Sequence, residues 1–186
     1  MKSTLTAKFT AAAATTGLAL AALIGLAAPA QAGPGDTTAT FVISGGSLSV
    51  TVPASTVALA TGTVNAGAAT AAGQLGTVAV ADARGALVNT WTTTVSSTAF
   101  VTGGSTASET VAKGSIAYSS GLSTSTSGLG AFVPGALANM TSSGTGASWI
   151  GAAGNNTAAW NPTLTFTLLS SQVVGTYTGT ITHSVA

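Results

Sequence analysis

Trp160-Asn161-Pro162-Thr163-Leu164-Thr165-Phe166-Thr167-Leu168 is followed, after a short interval, by Gly175-Thr176-Tyr177-Thr178-Gly179-Thr180-Ile181-Thr182-His183-Ser184-Val185-Ala186. These two runs decide the fold. In the first, Leu164, Phe166 and Leu168 share one parity and Thr163, Thr165 and Thr167 the other. In the second, Tyr177, Gly179, Ile181, His183 and Val185 alternate with Thr176, Thr178, Thr180, Thr182 and Ser184. Side chains alternate across a strand, so each run has one face for a core and one for water.

The same texture runs back along the chain. Strands are expected at 40–44, 47–52, 74–82, 87–97, 99–101 and 111–119, with shorter ones at 57–64, 137–143 and 147–150. Pro53 stops the second of these, because proline has no N–H to give a ladder. Within 87–97, Leu87, Trp91 and Val95 share a parity opposite Thr92, Thr94 and Ser96. Residues 120–135 are rich in Gly, Ser and Thr and read as loop, with Phe132 and Val133 as anchors. No apolar period of 3.6 residues persists after residue 32. The expected fold is all-β, an antiparallel immunoglobulin-like β-sandwich of about seven to nine strands.

The start of the chain is different. Lys2 and Lys8 precede an apolar run over 11–28, and Pro29-Ala30-Gln31-Ala32 closes it with small residues two apart. This is the form of a cleaved secretory signal helix, with cleavage after Ala32. The expected organisation is a signal peptide over 1–32, a flexible lead-in over 33–38 and a single sandwich domain over 39–186. About 150 residues remain after cleavage, enough for one real core.

Those residues keep Arg84 and Lys113 against Asp36, Asp82 and Glu109, a net charge of −1. Two cations make no footprint for nucleic acid or an anionic membrane. Cysteine is absent, so neither a disulfide nor thiol chemistry is available. So little charge also leaves sheet edges without their usual protection, which makes self-association an expected property.

Candidate chemistry is sparse. His183 is the one histidine, and its parity with Ile181 and Val185 suits a neutral core imidazole better than a base or metal ligand. Asp82 sits in the turn-forming Asp82-Ala83-Arg84-Gly85, and Glu109 also reads as a turn residue. No Gly-x-Ser-x-Gly elbow occurs. The expectation is no enzyme, no catalytic residue, no metal and no cofactor. Trp91 and Trp160 read as core. Trp149, in Gly- and Ser-rich surroundings, is the candidate for a sugar-stacking contact, with His183 as the second candidate ligand contact. The Thr row 176, 178, 180, 182 raises a remote alternative, an ice-binding array.

Trp91-Thr92-Thr93-Thr94-Val95-Ser96 resembles the first Trp-x-Leu segment of the WxL-type surface domains of Gram-positive bacteria. Tyr177-x-Gly179-x-Ile181-x-His183-x-Val185 has the spacing of the second, and the ending is similar to that of small exported actinobacterial proteins. The motif positions are thus Trp91, Tyr177, Gly179 and His183. Thr93, His183 and Val185 stand where Leu, Trp and Leu would be expected. The resemblance implies a secreted or wall-associated module, non-catalytic, that binds peptidoglycan non-covalently or meets another surface protein. The alternative is a structural or adhesion protein that self-associates through an exposed edge strand.

Overall fold

The computed structural model describes residues 39–53, 58–59, 64–65, 67–151 and 153–186. The expected signal peptide and lead-in lie outside these residues, as does most of the short strand expected at 57–64. Val42–Ala186 forms one compact unit; of the other, Met1–Phe41, only Ala39, Thr40 and Phe41 are described.

Among the described residues fourteen strands follow in order: β1 (Leu48–Thr51), β2 (Thr70–Gln74), β3 (Val78–Asp82), β4 (Trp91–Ser97), β5 (Phe100–Val101), β6 (Thr110–Val111), β7 (Ile116–Ser119), β8 (Ser123–Ser127), β9 (Gly130–Pro134), β10 (Ala136–Leu137), β11 (Gly144–Gly151), β12 (Asn156–Trp160), β13 (Thr163–Thr167) and β14 (Ile181–Val185). Every pairing is antiparallel. Three four-stranded sheets run β1-β3-β12-β8, β10-β7-β13-β2 and β14-β4-β11-β9, and β5-β6 make a small ribbon.

The first two sheets are two halves of one bent layer. β2 leads into β3, β7 into β8 and β12 into β13, so the same three runs of chain cross both halves. Trp160 pairs with Val78 and Thr163 with Gln74, so Asn161-Pro162 faces Leu75-Gly76-Thr77, two residues against three. Trp160 pairs with Ser123 and Thr163 with Ser119, so the same dipeptide faces Ser120-Gly121-Leu122, again two against three. Each flanking run thus has one extra residue at the same level, and an extra residue kinks a strand. Gly76 and Gly121 supply the positive φ, at 95° and 65°.

The bend is hydrogen-bonded rather than merely tolerated. Pro162 has no N–H, but its carbonyl accepts from Leu75 N at 2.8 Å. Asn161 Oδ1 accepts from Gly76 N at 3.0 Å, and Asn161 Nδ2 donates to Gln74 Oε1 at 2.9 Å. The asparagine side chain thereby gives the Gly76 N–H an acceptor within the bulge and ties Gln74 beside it.

The sheet containing β4 faces both halves of the bent layer. Trp91 packs with Val78, Val80, Ala147, Trp149, Ala158 and Trp160 in one core cluster. Val95, on the same face of β4, belongs to a second cluster with Phe100, Ile116, Tyr118, Leu164 and Phe166. The all-β sandwich expected from alternation is therefore what the chain forms. Counting each run across a bulge once and setting aside the two-residue strands leaves eight long runs, which is the scale the alternation suggested.

Several expected elements differ. Residues 40–44 form no strand, and Phe41, Val42 and Ile43 are 83–90% exposed. The strand expected at 87–97 begins only at Trp91, leaving Leu87 and Val88 exposed. The preceding loop is held by Arg84, which bonds Asp82 and donates to the Thr90 carbonyl at 2.8 Å. Residues 120–135, expected as loop, contain β8 and β9; β8 is Ser-Thr-Ser-Thr-Ser, without the apolar residues that mark a strand. The runs at 74–82 and 111–119 are broken, the first at Gly76 and the second by a 3-10 turn, Lys113–Ser115. Of 137–143, only Leu137 is in a strand.

Asn161→Ala should therefore cost about 1–2 kcal/mol, because Gly76 N–H and Gln74 both lose their partner. In urea unfolding the midpoint should fall with an unchanged slope; an unchanged midpoint would refute this role for the side chain.

Candidate functional site

The two segments that carry the family resemblance become adjacent strands. β14 pairs with β4 so that Ile181 faces Ser97, His183 faces Val95 and Val185 faces Thr93. Ala186 and Thr92 extend the ladder, exchanging N–H···O bonds of 2.9 and 3.1 Å. Nothing in one-dimensional spacing required these segments, some ninety residues apart, to pair.

Their inward parity is core. Trp91, Thr93 and Val95 are buried, and Thr93 Oγ1 donates to the Ala147 carbonyl at 3.0 Å. The hydroxyl standing at the expected leucine position is thus satisfied without water. Trp149, the candidate for sugar stacking, is only 2% exposed and lies parallel to Trp91 with ring centroids 6.4 Å apart. Trp160 stacks on the other side at 6.3 Å, completing a three-indole pile. Gly130 and Gly151, paired across β9 and β11, lie against the Trp149 indole nitrogen, where an added Cβ would overlap it. No face of Trp149 is available to a glycan in this arrangement.

His183 lies at the end of a polar chain through the core. Trp160 Nε1 donates to Tyr118 Oη at 3.1 Å, and Tyr118 Oη lies 3.2 Å from His183 Nε2. A phenol that already accepts from the indole has its hydrogen free for the imidazole. His183 Nε2 is then the acceptor and Nδ1 carries the ring proton. Nδ1 is buried without a partner among the described residues. Burial pushes the His183 pKa down to about 4 and the Tyr118 pKa up to about 12. A neutral imidazole at neutral pH follows.

The other motif positions also pack. Tyr177 Oη donates to the Val173 carbonyl at 2.9 Å, with the Ser108 carbonyl at 3.2 Å. Gly179 lies against the ring of buried Phe100, which an added Cβ would overlap. A cavity of about 980 Å³ is lined by Leu75, Phe100, Phe166, Leu168 and Tyr177 among others; it is largely apolar, and the Tyr177 hydroxyl is already engaged. Thr176, Thr178 and Thr180 precede β14 rather than belonging to it, so with Thr182 they make no single strand-borne row.

Asp36 lies outside the described residues; the two described carboxylates are committed as well. Asp82 is buried and accepts from Arg84 Nε at 2.9 Å and Nη2 at 2.7 Å, which holds its pKa below the usual value. Glu109 Oε2 accepts from Thr106 N, Thr106 Oγ1 and Gly104 N, and these bonds lower its pKa too.

No family model, curated protein or solved structure matches this chain. Its surface must therefore be read on its own terms. Among the described residues, no helix is long and apolar enough to cross a membrane.

The outward parity of the same sheet is where exposed hydroxyl groups collect. Ser184 pairs with Thr94, which pairs in turn with Thr145. Thr182 pairs with Ser96, and Thr92 with Ser148. Thr92, Thr94, Thr145, Thr182 and Ser184 are exposed, with Ser96 and Ser148 half-buried beside them. Seven hydroxyls thus carpet β14, β4 and β11 without a charged side chain among them. Alternation already set Thr92, Thr94, Ser96, Thr182 and Ser184 on wet faces. What it lacked was the pairing that joins those faces into one surface.

The His183 site predicts a pH dependence with a definite sign. The unfolded imidazole takes a proton below its ordinary 6.5, whereas the folded one resists until about 4. Its contribution is complete above pH 6.5, is lost as pH falls from 6.5 to 4, and changes no further below that. The loss should total about 2–3 kcal/mol, read as unfolding free energy against pH. His183→Phe should flatten that interval; an unchanged slope would remove His183 as its cause. Gly179→Ala should separately lower stability by about 1–3 kcal/mol at all pH values, through displacement of Phe100.

Proposed function

We propose that this protein is a non-catalytic module, exported and retained at the cell wall, that binds peptidoglycan glycan non-covalently through the outer face of β14, β4 and β11. The observation that carries the reading is the continuous uncharged hydroxyl surface made when the two motif strands pair. Neutral sugars are recognised by fixed arrays of hydrogen-bond donors and acceptors, and hydroxyls on a rigid sheet supply both. The signal-like start of the chain and the resemblance to WxL-type domains support the location. Trp149 and His183 enter this reading as residues that hold the sheet in shape, not as contacts.

A second reading is self-association through an exposed edge strand. It is favoured by one observation: β8 is an uncharged five-residue edge strand whose side chains are largely exposed.

Pelleting with purified peptidoglycan tests the first reading. The protein, purified as its host processes it, should co-sediment with the wall material. Thr94→Glu combined with Ser184→Glu should reduce the bound fraction at least about tenfold while leaving the near-UV tryptophan signal intact. Protein that stays in the supernatant without these substitutions would end the wall-binding reading. Trp149→Ala is the wrong probe, since emptying a buried indole site costs about 3–5 kcal/mol and threatens the fold itself.

A further inference from the structure

The segment Thr40-Phe41-Val42-Ile43-Ser44 consists of strand-forming residues, yet it pairs with nothing in the described chain. Phe41, Val42 and Ile43 are 85%, 90% and 83% exposed. Three consecutive large apolar residues held this far into water are unusual for a monomer. Gly45-Gly46 follows, lying against Ala83-Arg84, with Gly46 N donating to the Ala83 carbonyl. The segment thus precedes β1 in the chain, and its own hydrogen-bonding groups have no partner among the described residues.

A matching vacancy in pairing exists at the far edge of the same sheet. β1 and β8 are its two edge strands, with β3 and β12 between them. β8 has a strand on one side only. It carries no charge and no proline, the devices that ordinarily block an edge. β9, the edge strand joined to it by Gly128-Leu129, ends in Pro134, and β10 has only two residues. β8 also leaves the sandwich open. Thr126 pairs with buried Ala158 and so points inward, yet it is exposed. Leu122 and Leu129, flanking the strand, are 80% and 67% exposed.

We propose that residues 40–44 of one molecule add to β8 of a second copy as a fifth strand of its sheet, giving head-to-tail assembly. This rests on the self-association reading and names its two surfaces. Phe41 and Ile43 share a parity, so one face of the donated strand places both over the open inner edge beside Thr126, and the backbone completes the β8 ladder. Neither surface bears a charge, so no repulsion opposes contact. The donor segment precedes β1 and the acceptor is β8, so the two are different patches of the chain. The contact is therefore heterologous, and repetition produces chains rather than a closed two-fold dimer.

Sedimentation velocity over a concentration series tests this with the protein as its host processes it. Association should grow with concentration. A donor variant, Phe41→Asp with Ile43→Asp, should raise the concentration needed at least about tenfold; these side chains are already in water, so the fold should be unaffected. An acceptor variant, Ser125→Lys, should do the same by charging the edge. Mixing the two variants should give a species of two copies and nothing longer, because the acceptor variant still donates and the donor variant still accepts. A protein that is monomeric at every concentration would overturn both this inference and the self-association reading. Association that persists undiminished in the donor variant would overturn this inference alone and leave self-association standing. A mixture that remains monomeric would equally overturn it.

Discussion

The hydrogen bond from Trp160 Nε1 to Tyr118 Oη joins the two halves of this molecule's core. Trp160 belongs to the cluster under the β1-β3-β12-β8 sheet, and Tyr118 to the one under β10-β7-β13-β2. Both sheets bend immediately after Trp160, where Asn161 and Pro162 face an extra residue on either side. A bend in one layer tends to open a wedge in the core it covers. Here the wedge is filled by the largest side chain available, stacked against Trp91 and tied by its one polar atom to the opposite half. Removing Trp160 would therefore empty a site, take one of the Tyr118 phenol's two partners and loosen the bend together. Effects of that kind exceed the sum of separate contacts.

Scarcity of charge shapes the rest. With few ionic groups and no disulfide, the chain depends on aromatic burial, and it accepts some polar cost to obtain it. Trp91 Nε1 finds Asn156 Oδ1 at 2.7 Å, but Trp149 Nε1, Asn156 Nδ2 and Asn89 Oδ1 have no partner among the described residues. A buried unpaired polar atom costs about 1–3 kcal/mol. A fully packed tryptophan contributes at least as much, so the pile of indoles outweighs its own orphans. The one ion pair among the described residues, Asp82–Arg84, is local: Arg84 fastens the loop before β4 and so sets where that strand begins.

The sandwich was legible because alternation marks a buried face directly. Leu164 and Phe166, and Trp91 and Val95, are inward as their parity required. β8 was not legible, since a strand of serine and threonine has the composition of a loop and becomes a strand only because β12 lies beside it. The break in 74–82 was hidden for the opposite reason: Gly76 interrupts a run whose flanks look continuous, and the bulge is held by Asn161, 85 residues away. Residues 40–44 illustrate a third limit. Propensity identified a strand former, but strand formation needs a neighbour, and none exists within the described chain. The hydroxyl surface combined these limits, because each wet face was visible and their adjacency was not.

The resemblance to WxL-type domains is carried by side chains that point inward. Trp91, Ile181, His183 and Val185 all lie on the core side of the β14-β4 pair. A likeness at such positions concerns how two strands are fastened to a core, and departures from it are packing substitutions. Thr93 closes its hydroxyl on the Ala147 carbonyl, and His183 receives the Tyr118 phenol. In the proposed wall-binding reading, contact comes from the opposite parity, where Thr92, Thr94, Thr182 and Ser184 stand. In a strand the two parities can change independently, since a substitution on one face need not disturb the other. Loss of the expected Leu, Trp and Leu therefore carries little weight against wall binding, and their presence would have carried little weight for it. What decides is the chemistry of the outer face, which here is neutral, hydroxylated and held rigid from beneath by the stacked indoles.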